Sequence, residues 1–154
     1  MSEITLESIQ AKQTELARMI AELVTQAPVP TTITVDEIDI ELAPGEHYAG
    51  SVLNEDGTVK HHLVLMADRP NGDLNWAAAK TWAAGIGGSL PDRQEAALIY
   101  ANCKSHVDAC WHWTSQAHES NASSAWLCHF YGGNQVCYAV GSTGAARAVR
   151  RLAP

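Results

Sequence analysis

Apolar residues recur through the first 25 positions at one fixed spacing. Leu6, Ile9, Leu16, Ile20 and Leu23, with Gln13 filling the remaining place, fall 3-4-3-4-3 apart. That is a heptad seam, with Leu6, Gln13 and Ile20 at a and Ile9, Leu16 and Leu23 at d. The spacing predicts a helix over residues 3–26. Two arrangements are open to it: docking on the chain's own body, or a short parallel coiled coil. A helix docked on its own domain shows a broader stripe, so the narrow seam favours the coiled coil. Gln13 in the seam costs stability but sets register and oligomer number. The expected assembly is a homotrimer, with a dimer as the alternative. About three heptads are marginal alone, so the rest of the chain has to help them associate.

Ala27-Pro28-Val29-Pro30 ends the helix, because proline lacks the amide donor and pushes its predecessor to extended geometry. β-Type sequence comes next. Residues 33–42 (ITVDEIDIEL) alternate and are rich in β-branched side chains. Pro44-Gly45 makes a turn. His47–Leu53 and Val59–Ala67 read as strands joined by Asn54-Glu55-Asp56-Gly57, whose Asp-Gly is a hairpin signal. Residues 75–84 read as a helix stopped by Gly85, Gly87 and Gly88. A second helix starts after Pro91. Asp92 and Glu95 form a capping-box pattern, and Ala96, Ile99, Tyr100 and Cys103 share one face. From about residue 110 strand-like pieces return at 111–115, 125–131, 134–140 and 145–151. The class is therefore α+β, organised as an oligomerisation helix (1–27), a linker or collar strand (28–44) and a main domain (45–154).

The chain has 154 residues, of which 46% are hydrophobic and 18% charged, so one packed core is expected. The net charge of -7 argues against nucleic acid as a partner. Arg147, Arg150 and Arg151 form the one basic cluster, and on a terminal strand they are expected to meet the chain's own acids. The opening MSEITLESIQ carries acids where a signal peptide has its apolar core, so synthesis in the cytosol is expected. No apolar stretch approaches a membrane span, so membrane insertion is not expected. Four cysteines in such a chain are expected as thiols.

Within WAAAKTWAAGIGGSLPDRQEAALIY, the positions of Trp76, Ala79, Ala83, Gly87, Gly88, Leu90 and Glu95 resemble the helix-loop-helix of C-type-lectin folds. Ala83 stands where that pattern usually has a disulfide cysteine. Six pieces in order resemble one branch more closely, a domain of unknown function common in phage and prophage tail genes. They are Gly45–Leu53, His61–Asp68, Leu90–Asn102, Trp111–Ser115, Ala125–Gln135 and Arg147–Arg151. The resemblance covers roughly residues 45–152. It implies a C-type-lectin-like domain with two helices and antiparallel sheets, distantly related to the formylglycine-generating enzyme. It further implies a phage tail-fibre tip protein that recognises a receptor on the bacterial surface. The implied partners are a surface glycan or outer-membrane protein, other tail-fibre or baseplate proteins, and further copies of the chain. The implied place is the virion, after synthesis in the host cytoplasm. The alternative is an accessory tail subunit that caps or joins fibre components without binding a receptor.

The residues themselves narrow the chemistry. From residue 110 onward Glu119 is the only acid, too few oxygen ligands for a lectin-type calcium site. Cys103, His106, Cys110 and His112 fall close together but not at the usual zinc spacing. No orienting acid stands beside His112 to make Cys110 a nucleophile. The expected protein is thus non-enzymatic, without metal or cofactor. If the last hairpin turns at Gly132-Gly133, facing residue numbers sum to 265 and Cys128 stands opposite Cys137. Reduced thiols are the expected state, and a disulfide is open to them outside the cell.

The stretch 111–138 mixes aromatic and short polar side chains in the manner of a binding surface. The candidate receptor contacts are His112, Gln116, His118, Asn121, His129, Tyr131, Asn134 and Tyr138. A bare solvated surface is the competing reading for His112, His118, His129, Tyr131 and Asn134. Alternation along the strand turns His129 and Tyr131 outward and Trp126 and Phe130 inward.

Overall fold

The computed structural model describes residues 5–26, 30–35 and 38–154. Its elements are mixed α and β: three α-helices and eight strands in three antiparallel sheets among the described residues. They divide into two compact units, residues 1–30 and 31–154.

The first unit holds helix α1 (Leu6–Thr25). Its start is a reciprocal capping box. Thr5 Oγ1 accepts from the Ser8 backbone N–H at 3.2 Å, and Ser8 Oγ accepts from the Thr5 N–H at 3.2 Å. Arg18 pairs with both Glu15 and Glu22. These three residues occupy c and f positions of the heptad, on the side away from the seam. None of the α1 side chains is buried. Leu6, Ile9, Leu16, Ile20 and Leu23 are all exposed, Gln13 with them, on one face of a capped helix.

The second unit opens with a hairpin. The alternating run at 33–42 is two strands, β1 (Thr31–Val35) and β2 (Ile38–Leu42), rather than one. Their register runs from Thr31↔Leu42 to Val35↔Ile38, and residues 36 and 37 between them lie outside the described residues. Ile40 and Leu42 pack on Val64, with Ile33, Tyr48 and Leu152 around them. From Thr31 onward, the described part of the segment 28–44 thus belongs to the same compact unit as the main domain.

Strands β3 (His47–Leu53) and β4 (Val59–Leu65) form the expected hairpin, and its turn is built as the Asp-Gly signal requires. Asp56 Oδ1 accepts from the Thr58 N–H at 3.0 Å, and Gly57 takes φ +85°. β3 bulges at Gly50, where an added Cβ would press on Leu98 and Asn102 of the helix above it. Asn102 Nδ2 donates to the Ala49 carbonyl at 2.6 Å across the same contact.

Helix α2 (Trp76–Gly85) is capped by Asn75, whose side chain accepts from the Ala78 N–H. It buries only Ala79 and Ala83, small residues that allow close approach. Trp76 Nε1 donates to the Thr114 carbonyl at 2.8 Å and ties α2 to the C-terminal sheet. Helix α3 (Arg93–Cys103) has the predicted capping box, with Asp92 accepting from Glu95 N at 2.7 Å and Glu95 Oε2 from Asp92 N at 2.8 Å. Ala96, Ile99 and Cys103 are buried against β3, β4 and the C-terminal sheet.

That third sheet is β5 (Trp111–His118), β6 (Asn121–His129) and β7 (Gln135–Ala139), paired in that order. β8 (Val149–Leu152) is shorter than the expected 145–151 piece and returns to pair with β4. Residues 144 and 145 make only single bridges, Gly144 to Leu74 and Ala145 to His112.

The three arginines turn to the chain's own groups. Arg150 binds Glu46 at 2.7 Å and the Glu41 carbonyl at 2.7 Å. Arg147 donates to two backbone carbonyls. Arg151 meets the fully buried Glu95 at 2.7 Å, and His61 Nε2 reaches the same carboxylate at 2.8 Å. Burial pushes the Glu95 carboxyl up. The Arg151 guanidinium, the Asp92 backbone N–H and His61 outweigh it and hold it below the usual carboxylate range.

Glu95→Gln removes the charge that Arg151 and His61 face. Loss of one partner from a buried pair costs about 3–5 kcal/mol; because Arg151 reaches solvent, we expect about 2–3 kcal/mol. Urea unfolding should show this as a lower midpoint at unchanged slope. A midpoint within error of the parent would mean that the Glu95 network does not hold the layers together.

Candidate functional site

The pairing of the C-terminal sheet decides which side chains share a face. Trp111 stands opposite His129, Trp113 opposite Leu127, Leu127 opposite Val136 and Ala125 opposite Tyr138. Residues two apart on a strand point the same way. One face therefore carries Trp111, Trp113, Ala125, Leu127, His129, Val136 and Tyr138. Trp113 is buried there with Ala79 and Ala83 of α2, and its Nε1 donates to the Leu74 carbonyl at 2.8 Å.

The rest of this face is open. Trp111, Leu127, Val136, Tyr138 and Thr143 line a cleft of about 300 Å³. That lies at the small end of the range for ligand sites. Tyr138 is 61% exposed on one side of it. Trp111 lies against His129 with ring centroids 4.5 Å apart, and Tyr131 lies beyond His129 at 6.3 Å. Tyr131 is 75% exposed, and Asn134 is exposed across the same turn. Of the expected contacts, Tyr138 and His129 thus lie beside Trp111, while Tyr131 and Asn134 lie beyond it, next to His129, and Tyr131 lines a separate hollow with Lys104, Ser105, Ala109 and Phe130.

The turn that presents them differs from expectation. His129 N–H donates to the Asn134 carbonyl at 2.9 Å and Gly133 N–H to the His129 carbonyl at 2.6 Å. Four residues therefore loop between His129 and Asn134. Gly133 takes positive φ, at +78°, and Gly132 does not, whereas a two-residue I′ or II′ turn at Gly132-Gly133 needs it at Gly132. An added Cβ at Gly133 would meet the Tyr100 ring of α3 at under 3 Å. Facing numbers sum to 263, so Cys128 stands opposite Gln135 and Cys137 opposite Trp126. The cysteines are diagonal neighbours rather than partners, and both are free.

Gln116, His118 and Asn121 lie elsewhere, toward the β5–β6 turn. His118 stacks on Trp126, with centroids 5.8 Å apart, and Trp126 belongs to the opposite face of the sheet. The Arg93 guanidinium lies 3.6 Å over the Trp126 ring, and Arg93 Nε donates to Gln135 Oε1 at 2.8 Å. Gln116 Oε1 accepts from the Arg93 backbone N–H at 2.8 Å and so caps α3. Asn121 accepts from the Ser123 N–H. Trp126, expected in the core, is half-buried between Arg93 and His118.

His112 is a correction. The sequence reading puts it on the receptor surface, and in the structure it is 2% exposed. Alternation turns it away from Trp111 and Trp113, and its ring packs edge-on against Phe130 at 5.0 Å. Burial pushes its imidazole down to about 4, against the Cys110 carbonyl and Asp108, which favour the charged form.

The Cys103–His112 cluster does not converge. Cys103 lies in the core with Sγ 3.6 Å from the Tyr48 carbonyl, and His106 stacks on His47 at 3.5 Å. Cys110 Sγ is 3.9 Å from His112 Nδ1. Among the described residues no three His, Cys, Asp or Glu side chains are placed to hold a metal ion. Burial pushes the thiols of Cys103, Cys110 and Cys137 up, and that of Cys128 to about 11. A raised thiol is a poor nucleophile at neutral pH.

Sequence reasoning passes over Val136 and Thr143 as cleft residues and Arg93 as the partner of Trp126. For Val136 a signal exists: it sits two residues before Tyr138 on one strand. Thr143 and Arg93 arrive through long-range packing and leave none. No family model matches the chain, and no curated protein matches it in sequence.

An unfolded histidine titrates near 6.5, whereas folded His112 titrates at about 4. Between those values the unfolded chain binds a proton that the folded chain refuses. Stability is therefore complete above the unfolded value and falls as pH drops toward 4, by about 3 kcal/mol in all. His47, pushed down by burial and then by His106 and Arg147, adds in the same direction. Thermal unfolding from about pH 7 to about pH 4.5 should show this loss, and His112→Phe should flatten it. Parallel curves for the parent and the variant would remove His112 as the cause.

Proposed function

We propose that this chain is a phage tail-fibre tip protein that recognises a receptor on the bacterial surface. On this reading residues 45–154 form a C-type-lectin-like domain and α1 forms a parallel trimeric coiled coil. The observation that carries the reading is the aromatic cleft. Trp111 and Tyr138 line it, and Trp111 continues through His129 to Tyr131 and Asn134. Rigid aromatic faces supply contact area at little entropic cost, and adjacent amide and imidazole groups supply hydrogen bonds. A pyranose ring or an exposed protein loop presents the matching mixture of apolar and polar surface.

Two further features agree with it. The exposed seam of α1 offers copies of the chain a face to pack on, with ion pairs confined to the other side. Three linked copies raise avidity for a repeated receptor while each site stays weak. The one acid after residue 110, Glu119, lies 3.6 Å from Arg93, so recognition is taken to be calcium-independent. The raised thiols fit a binding protein better than a catalyst. Synthesis in the host cytoplasm and a place in the virion tail belong to the same proposal.

Replacing His129, Tyr131 and Asn134 together with alanine should abolish host adsorption and leave particle assembly intact. Failed assembly with normal adsorption by the surviving particles would favour an accessory subunit that joins fibre parts. Light scattering should give three times the 16.6 kDa chain mass for the full sequence. A chain beginning at Thr31 should fall to monomer. A monomeric full chain would count against both the coiled coil and the multivalent tip.

A further inference from the structure

An edge strand shows a row of backbone donors and acceptors with no strand opposite them. The two three-stranded sheets end in β3, β8, β5 and β7. Three of these edges are covered or interrupted. On β5 the Trp113 N–H donates to the Ala145 carbonyl at 3.0 Å, the Ala145 N–H to the Trp111 carbonyl at 3.0 Å, and the Ser115 N–H to the Pro91 carbonyl at 2.8 Å. On β8 Val149 exchanges both backbone bonds with Ser89, at 2.8 and 3.0 Å. β3 bulges at Gly50, and Asn102 of α3 donates to its Ala49 carbonyl.

β7 is the exception. Hydrogen bonding alternates along an antiparallel pair, and two bonds fix its phase here. The His129 N–H donates to the Asn134 carbonyl and the Val140 N–H to the Ser123 carbonyl, so Asn134 and Val140 stand at bonded positions. Val136 and Tyr138 share that phase and turn their backbone groups toward β6. Gln135, Cys137 and Ala139 turn theirs outward. The Ala139 carbonyl accepts from the Ser142 N–H at 2.9 Å. The three outward N–H groups and the carbonyls of Gln135 and Cys137 have no backbone partner among the described residues. Charge, proline and bulges are the usual guards of an edge. β7 is Gln-Val-Cys-Tyr-Ala in unbroken register with β6, and it carries none of the three.

This open edge borders the aromatic cleft. Val136 and Tyr138 line the cleft with Trp111, Leu127 and Thr143, and none of the five is charged. A strand added to β7 would lie about 4.8 Å from it and set every second side chain on the cleft side. A long side chain there reaches over Val136 into the cleft. Backbone pairing for affinity and a pocket for alternate side chains are the two parts of strand-addition recognition. A sugar ring can fill the cleft but leaves the outward amides of β7 unused.

We propose that the receptor element is an extended protein segment that adds to β7 as a fourth strand and sets an uncharged apolar or aromatic side chain in the cleft. The inference rests on the cleft being the receptor site and chooses protein over glycan for its occupant. A second copy of the chain could also offer a strand. Antiparallel pairing of β7 with β7 of another copy needs a two-fold axis, which a parallel three-stranded coil lacks. A segment of the host surface meets no such conflict.

The test uses the full chain labelled with ²H and ¹⁵N, and a capped heptapeptide of alternating threonine and tyrosine as probe. In the free chain the amides of Cys137 and Ala139 should exchange with solvent much faster than those of Val136 and Tyr138. Millimolar peptide should shift the Cys137 and Ala139 amides saturably and slow their exchange. Cys137→Pro removes one outward N–H and no ladder bond, so it should abolish this response, whereas Cys137→Ser should keep it. If the proline variant does not fold, the peptide N-methylated at alternate amides takes its place and should not bind. Slow exchange of Cys137 and Ala139 in the free chain would put a second copy on the edge and overturn the proposal. No saturable response to the peptide would overturn it too. Methyl α-D-glucopyranoside shifting Trp111 and Tyr138 where the peptide does not would assign the cleft to a sugar and leave the receptor reading standing. That reading is decided separately, by host adsorption of the triple alanine variant, which changes no residue of β7.

Discussion

The Glu95 carboxylate accepts from the Asp92 backbone N–H, from His61 and from two nitrogens of Arg151 while fully shielded from solvent. A lone buried carboxylate would take up a proton; one with this many donors stays ionised, and the three donor residues come from different parts of the chain. Asp92 begins α3, His61 lies in β4 and Arg151 in β8. One side chain therefore sets where the helix starts and which two strands lie beneath it. Arg151 also reaches Ser89, and its neighbour Arg150 holds Glu46 and the end of the β1–β2 hairpin. The last strand is in this way keyed to the sheet by charge as well as by backbone pairing.

From that anchor the placement of the C-terminal sheet can be traced. Arg93, at the first position of α3, is placed to cover Trp126 and to bind Gln135, while Gln116 caps its backbone. These contacts hold one face of the β5–β6–β7 sheet to α3. The other face meets α2 only along Trp113, Ala125 and Leu127, because α2 is short and presents alanines. Among the described residues, no helix of this unit covers the aromatic side chains beyond that contact. The cleft at Trp111 and Tyr138 is thus a consequence of a short helix laid on a wider sheet.

Much of this is legible from local signals. Capping residues, the Asp-Gly turn and the helix over 76–85 depend on neighbours a few positions away, and each appears where its residues indicate. The inward arginines are legible in kind, since a terminal basic strand in an acidic chain needs partners, but not in pairing. The departures depend on distant packing. The β6–β7 turn is set by Gly133 lying against Tyr100 of α3, which shifts Cys137 two places from its expected partner. β5 bulges between Trp113 and Ala117, so simple alternation does not carry across it. Composition alone puts His112 on the surface, although its position between two same-facing tryptophans already turns it inward. Residues 33–42 read as one strand although the apolar positions slip from odd (Ile33, Val35) to even (Ile38, Ile40, Leu42) across Asp36-Glu37, a break that marks the turn.

The aromatic cleft, taken as the proposed site, limits what each single contact can discriminate. An aromatic cleft tolerates many ligands of similar size, since one methylene more or less in an apolar site changes affinity by only about 1–3 kcal/mol. On the proposed trimer, repetition along three chains would multiply such a weak contact, as attachment to a dense, repeated surface requires.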